Sequence, residues 1–184
     1  MDLRRAVLRT FDRTADDQAI TGATGLDAGI LLLRLVVGLT MAVHGAQKLF
    51  GWFGGPGFAA MAHVFDQIGF RPGELHAMLS GGAELGGGLL LALGLLTPLG
   101  AAAVTGTMVV AIATVTGQNG FISEKGGYEY NLVLIASALA VAFVGPGRFS
   151  LDAVLGWRLS GTRWAVAAVV LAAITAAGVV AFRQ

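Results

Sequence analysis

The sequence predicts an all-α membrane protein: a four-helix transmembrane bundle, a C-terminal fifth span and a short interfacial helix. Three observations carry this. Of the 184 residues, 55% are hydrophobic and only 12% are charged, against about 25% charged in an ordinary soluble domain. Several apolar runs approach the roughly 20 residues needed to cross hydrocarbon. Glycine- and proline-rich breakers, at Gly51–Gly57, Thr97–Gly100 and Gly145–Arg148, divide those runs into helix-length pieces.

Residues 1–25 form an N-terminal segment with Arg4, Arg5, Arg9 and Arg13. Leu3, Val7, Leu8 and Phe11 give it an amphipathic face, and the arginines suit a positively charged anchor before the first span. No apolar stretch follows them closely enough to read as a signal peptide. The first span is expected over about Leu26–Ala46. Trp52 and Phe53 then fit the aromatic belt at a membrane interface. Phe58, Met61, Phe65 and Ile68 recur at helical spacing with His63, Asp66 and Gln67 between them, which predicts a short amphipathic helix at the interface. The second span, about Leu75–Leu96, contains the run GGAELGGG. Its Gly82-x3-Gly86 pair suits close helix packing. The third span is about Ala101–Thr116. The fourth opens at Tyr128-Glu129-Tyr130-Asn131 and runs to about Val144. Phe149-Ser150-Leu151-Asp152 reads as the start of a short surface helix. The fifth span, Trp164–Phe182, is uncharged and reads as an anchor. The domain plan is therefore 1–25, a membrane domain over 26–155, and a linker with the fifth helix over 156–184.

Lysine and arginine bias sets the expected orientation in the cell membrane. With five spans, Arg4, Arg5, Arg9, Arg13, Arg148, Arg158 and Arg163 share one side, and Lys48, Arg71, Lys125 and Arg183 the other. The N-terminus is then cytoplasmic and the C-terminus outside.

The chemistry lies in the charges inside the spans. Arg34, His44 and Lys48 fall within an arc of roughly 80° on the first helix at about 100° per residue. Charge at membrane depth is costly, so such groups face protein and find partners. Depth arithmetic at about 1.5 Å per residue sets Arg34 level with Glu84 of the second span. It sets Lys48 or His44 level with Glu129 at the mouth of the fourth. Tyr128, Tyr130 and Asn131 stand beside Glu129, as interface anchors or as pocket lining. Two readings of this cluster stay open: ion pairs that hold helices in register, or a polar pocket for a small molecule or redox carrier.

Other classes are set aside. A net charge of +1 makes no case for nucleic acid. The absence of cysteine removes dithiol chemistry, thiolate nucleophiles and cysteine metal ligands from this chain. His44, His63 and His76 lie on different elements and no carboxylate cluster accompanies them, so no metal or haem site is expected.

Arg34-x3-Gly38, His44-Gly45-x2-Lys48-Leu49-Phe50-Gly51 and the Gly54-Gly55 loop resemble the DoxX family. So do Glu84 among its glycines, Gly126-Gly127-Tyr128-Glu129, and Gly145-Pro146-Gly147-Arg148-x-Ser150-x-Asp152. The resemblance covers about Leu26–Leu155. It implies a four-helix integral membrane protein linked to redox chemistry, since family members are associated with thiosulfate:quinone oxidoreductase and with membrane oxidoreductase complexes. Resemblance to a related branch would imply thiol chemistry, which this cysteine-free chain does not carry over. The resemblance marks Arg34, His44, Lys48, Glu84 and Glu129 as site candidates by position.

The leading expectation is a membrane subunit of a quinone-linked system. Arg34, His44 and Lys48 would serve as donors, and Glu84 and Glu129 as proton relays. No flavin, haem or iron–sulfur motif is present, so electrons would come from a partner. The alternative is a non-catalytic accessory subunit that docks on other subunits or on its own copies. A small-solute or proton-coupled transporter fits less well, for want of an inverted repeat.

Overall fold

A computed structural model describes residues 3–183, with side chains described from Thr24 onward. The amphipathic face expected at Leu3, Val7, Leu8 and Phe11 lies outside the residues whose side chains are described. The described chain is helical, with no β-strand and one isolated bridge between Phe70 and Arg183. Its helices are α1 (Leu3–Phe50), α2 (Gly57–Gln67), α3 (Gly73–Leu93), α4 (Thr97–Ala111), α5 (Glu129–Val144), α6 (Leu151–Val154) and α7 (Thr162–Ala181). A π-helical turn, Ile112–Thr116, extends α4.

Three helical stretches are long and apolar enough to cross a membrane: Thr24–Phe50, Thr97–Asn119 and Thr162–Ala181. Glu129–Val144 is apolar but shorter. The first span ends later than its composition suggests. Nothing between Ala46 and Phe50 breaks the helix, and termination waits for Gly51, whose positive φ of 70° suits glycine.

Side-chain size is distributed as in a bilayer protein. On α7 the residues turned inward are Ala165, Ala168, Ala172 and Ala176, while Val166, Val170 and Ile174 are exposed. On α1, Leu32, Val36 and Leu39 are likewise exposed. Lipid gives no hydrophobic drive for burying large side chains, so small residues line the contacts and large ones meet the tails. The centre is filled by Val37, Met41, Leu91, Val104, Leu134 and Val141, from α1, α3, α4 and α5.

The α1–α3 contact fixes the register of everything that follows. A Cβ on Gly38 would stand 2.5 Å from the carbonyl oxygen of Gly88, and a Cβ on Gly88 the same distance from that of Gly38. Gly45 fits as closely against Gly81 and Leu85. Gly81 lies against Leu49, and Gly87 against Ala103 of α4. The glycines expected to pack, Gly82 and Gly86, instead face outward with open space where a Cβ would stand. The buried face is one position over, at Gly81, Glu84 and Gly88.

The same register makes the two helices overhang. Leu49, near the end of α1, meets Gly81, so α3 begins about eight residues, or roughly 12 Å, further out. α2 packs on this overhang, and Asp66 accepts a hydrogen bond from the Gly73 amide at 2.8 Å, capping α3. At the other end, α1 runs past the α3–α4 turn.

Candidate functional site

The buried charges fall into two groups, and their pairing differs from the depth-matched expectation. Glu84 does not meet Arg34. It is 3% exposed, and its Oε1 binds the ammonium of Lys48, which also donates to Ser80 Oγ at 3.1 Å. The overhang of α3 is the cause. Counted from the ends of two flush helices, Glu84 reaches the depth of Arg34. With α3 displaced outward, it reaches the last turns of α1 instead.

Lys48 keeps 24% of its side chain exposed, while Glu84 keeps 4%. The pair is thus a buried carboxylate plugged by a cation that reaches the surface. The second oxygen of Glu84, Oε2, is buried without a hydrogen-bond partner among the described residues. One turn before Lys48, half-buried His44 stands edge-on to Tyr130 of α5, with ring centroids 6.5 Å apart. Lys48, Glu84, His44 and Tyr130 therefore occupy one end of the helix array.

Glu129 takes no part in this group. Its Oε2 accepts the Ser123 amide at 3.1 Å and ties down its own loop. Tyr128 packs edge-on against Phe121 in that loop. Asn131 is buried but turned toward α4, where it accepts from Thr116 Oγ1 at 3.2 Å and donates to Met108 Sδ at 3.3 Å. Thr116 belongs to the π-turn, so an irregular turn of α4 is held by a buried amide of α5. Of the residues flanking Glu129, only Tyr130 reaches the Lys48 side of the array.

Arg34 lies in a second group at the opposite end. It is 1% exposed and donates through Nη2 to the carbonyl of Phe149. Its guanidinium lies against Gly94, at the α3–α4 turn, and near Ser150. Asp152, fully buried, is the acid whose charge it feels. This carboxylate accepts from the Leu96 amide at 2.8 Å, the Thr97 amide at 3.0 Å and Thr97 Oγ1 at 2.7 Å. It caps α4 from more than fifty positions away, supplying negative charge at a helix N-terminus. In turn the Asp152 amide donates to the Gly94 carbonyl at 2.8 Å. Ser150 caps α6, accepting from the Ala153 amide and donating to the Gly147 carbonyl. Asp27 of α1 accepts from the Arg148 amide at 3.0 Å. The segment from Gly145 to Asp152 is thus a plug that clamps α1, the α3–α4 turn and the start of α4.

The short helix expected on the surface is therefore partly interior. Asp152 is the residue that charge counting missed, although it stood in the motif Gly-Pro-Gly-Arg-x-Ser-x-Asp. Among the described residues Arg34 Nε and Nη1 have no hydrogen-bond partner, so the Phe149 carbonyl is the acceptor that holds the guanidinium. Among the described residues no group of three or more metal-ligating side chains forms.

Helices with small residues inside, large apolar residues outside and charges in the interior define a multi-pass helical membrane protein. The DoxX family model matches residues 29–117, so this region of the chain is similar to the DoxX family. The match runs from α1 to the π-turn after α4. It includes Arg34, His44, Lys48 and Glu84, while Glu129 and Asp152 lie beyond it. No curated protein and no solved structure matches the chain.

Proposed function

We propose that the chain is the membrane subunit of a quinone-linked redox system, acting at the Lys48–Glu84 pair. The observation that carries this is the state of Glu84: a buried carboxylate with one oxygen held by a surface-reaching lysine and the other unpartnered. A structural ion pair is stable when its remaining lone pairs are satisfied. An open acceptor beside an ammonium suits a group that exchanges a proton or binds a polar headgroup. A quinone taking up two electrons must also take up two protons at its carbonyl oxygens. Lys48 and Glu84 would hold protons at that point, with His44 and Tyr130 as flanking donors. The electrons would come from a partner subunit.

In this reading α3 and α5 cross the bilayer beside α1 and α4, with α7 as a fifth span. α3 has 21 residues, about 31 Å at 1.5 Å per residue. α5 has 16, about 24 Å, which equals the rise from Arg34 to Phe50 on α1. The arginine bias puts the N-terminus on the cytoplasmic side and Lys48 toward the outside.

The test is quinone binding to the purified chain in detergent. Glu84→Gln keeps an acceptor for Lys48 but removes the charge, and it should weaken binding or turnover at least tenfold without lowering the melting temperature comparably. Unchanged binding would refute the site. A second reading, an accessory subunit that docks other helices, is favoured by the outward Gly82 and Gly86. In that case Gly82→Leu breaks assembly and Glu84→Gln leaves activity intact.

A further inference from the structure

We propose that the cleft between the α2–α3 connector and the C-terminal end of α7 binds the phosphodiester of an anionic lipid headgroup. The cleft is an open cavity of about 460 Å³ lined by Asp66, Gln67, Ile68, Gly69, Arg71 and Arg183. None of these belongs to the Lys48–Glu84 or Arg34–Asp152 groups, so the proposal stands apart from the quinone reading.

Three features converge on it. Arg183 follows Ala181, the last residue of a stretch long and apolar enough to cross the membrane, by two positions. The cavity therefore lies at headgroup depth, where arginine and phosphate meet. Next, the arginine is anchored: its backbone bridges Phe70, and its Nε donates to the Ile68 carbonyl at 2.9 Å. Its terminal nitrogens are left for an anion, in a fork geometry that suits phosphate oxygens. Arg71, on the other wall, makes no hydrogen bond or ion pair among the described residues and is exposed. Lastly, the carboxylate of the lining, Asp66, is already engaged with the Gly73 amide. Two arginines and one aspartate leave the lining with one net positive charge. That balances a singly charged phosphodiester better than inorganic phosphate, which carries close to two charges at neutral pH, as phosphomonoesters do.

The experiment is native mass spectrometry of the full chain, counting lipid retained after titration with phosphatidylglycerol, with phosphatidylcholine, and with phosphatidylglycerol plus millimolar inorganic phosphate. One phosphatidylglycerol per chain should be retained, in preference to phosphatidylcholine and in the presence of phosphate. Arg71→Gln and Arg183→Gln should each weaken retention about fivefold, and the double variant more than tenfold. Arg158→Gln, away from the cleft, should bind as wild type. Arg71→Gln alone decides the matter if Arg183→Gln lowers the melting temperature, because Arg71 has no protein partner to lose. Equal retention in Arg71→Gln and wild type overturns the proposal. So does equal retention of phosphatidylcholine. Displacement by inorganic phosphate would overturn it in favour of a free-anion site.

Discussion

Replacing Asp152 by alanine removes three acceptor contacts at once, to the Leu96 amide, the Thr97 amide and Thr97 Oγ1. Each buried donor left unmet costs about 1–3 kcal/mol. Some water enters the gap, so the low end applies, giving roughly 3 kcal/mol. Arg34, whose guanidinium lies against Gly94 in the same turn, also loses a nearby negative charge, and uncompensated buried charge adds to the cost. The expected destabilisation is about 4 kcal/mol. Asp152→Asn keeps one acceptor oxygen and should cost about half as much, while Arg34→Met, which removes the charge and leaves Asp152 on its backbone partners, should cost less than Asp152→Ala. The assay is denaturant unfolding in detergent micelles, with limited proteolysis reporting whether the segment from Gly145 to Gly156 has come loose. Asp152→Ala within about 0.5 kcal/mol of wild type, with that segment still protected, would refute the plug as a structural lock.

Three further outcomes follow from the packing. Gly88→Ala drives a Cβ to within 2.5 Å of the Gly38 carbonyl, so it should lower the melting temperature and separate α1 from α3 by a measurable spin-label distance. Gly86→Ala has open space and should be neutral or stabilise by about 0.5–1 kcal/mol, as helix propensity gives; the same melting assay compares the two. The Asp27–Arg148 pair leaves Arg148 largely exposed, at 62%, so Arg148→Gln should change stability by less than about 1 kcal/mol. Asp27→Ala, which also frees the Arg148 amide, should cost more and increase cleavage near Gly147.

The helical membrane architecture was legible because lipid imposes it on composition: long apolar runs, few charges, small residues at the contacts. The need for Arg34, Lys48 and Glu84 to find protein partners was legible for the same reason. Their pairing was not, since it depends on how far one helix slides along another. That slide is set by Gly38 against Gly88 and Gly45 against Gly81, and a glycine-rich sequence offers several registers of similar appearance. The stretch GGAELGGG contains two small-residue faces, and only the three-dimensional neighbours select Gly81 and Gly88 over Gly82 and Gly86. Asp152 escaped because its partners are mostly backbone amides at the start of α4, which carry no side-chain signature. Glu129 was legible as polar but is spent on the Ser123 amide of its own loop.

In the proposed reading the two buried charge groups have different roles, with Lys48–Glu84 as the working site and Arg34–Asp152 as the structural lock. The most direct measurement is quinone affinity set beside unfolding free energy for Glu84→Gln and Asp152→Asn. The account predicts that Glu84→Gln loses at least tenfold in quinone affinity with little loss of stability. Asp152→Asn should lose about 2 kcal/mol of stability while its folded fraction binds quinone as wild type does. Wild-type quinone affinity in folded Glu84→Gln would contradict it.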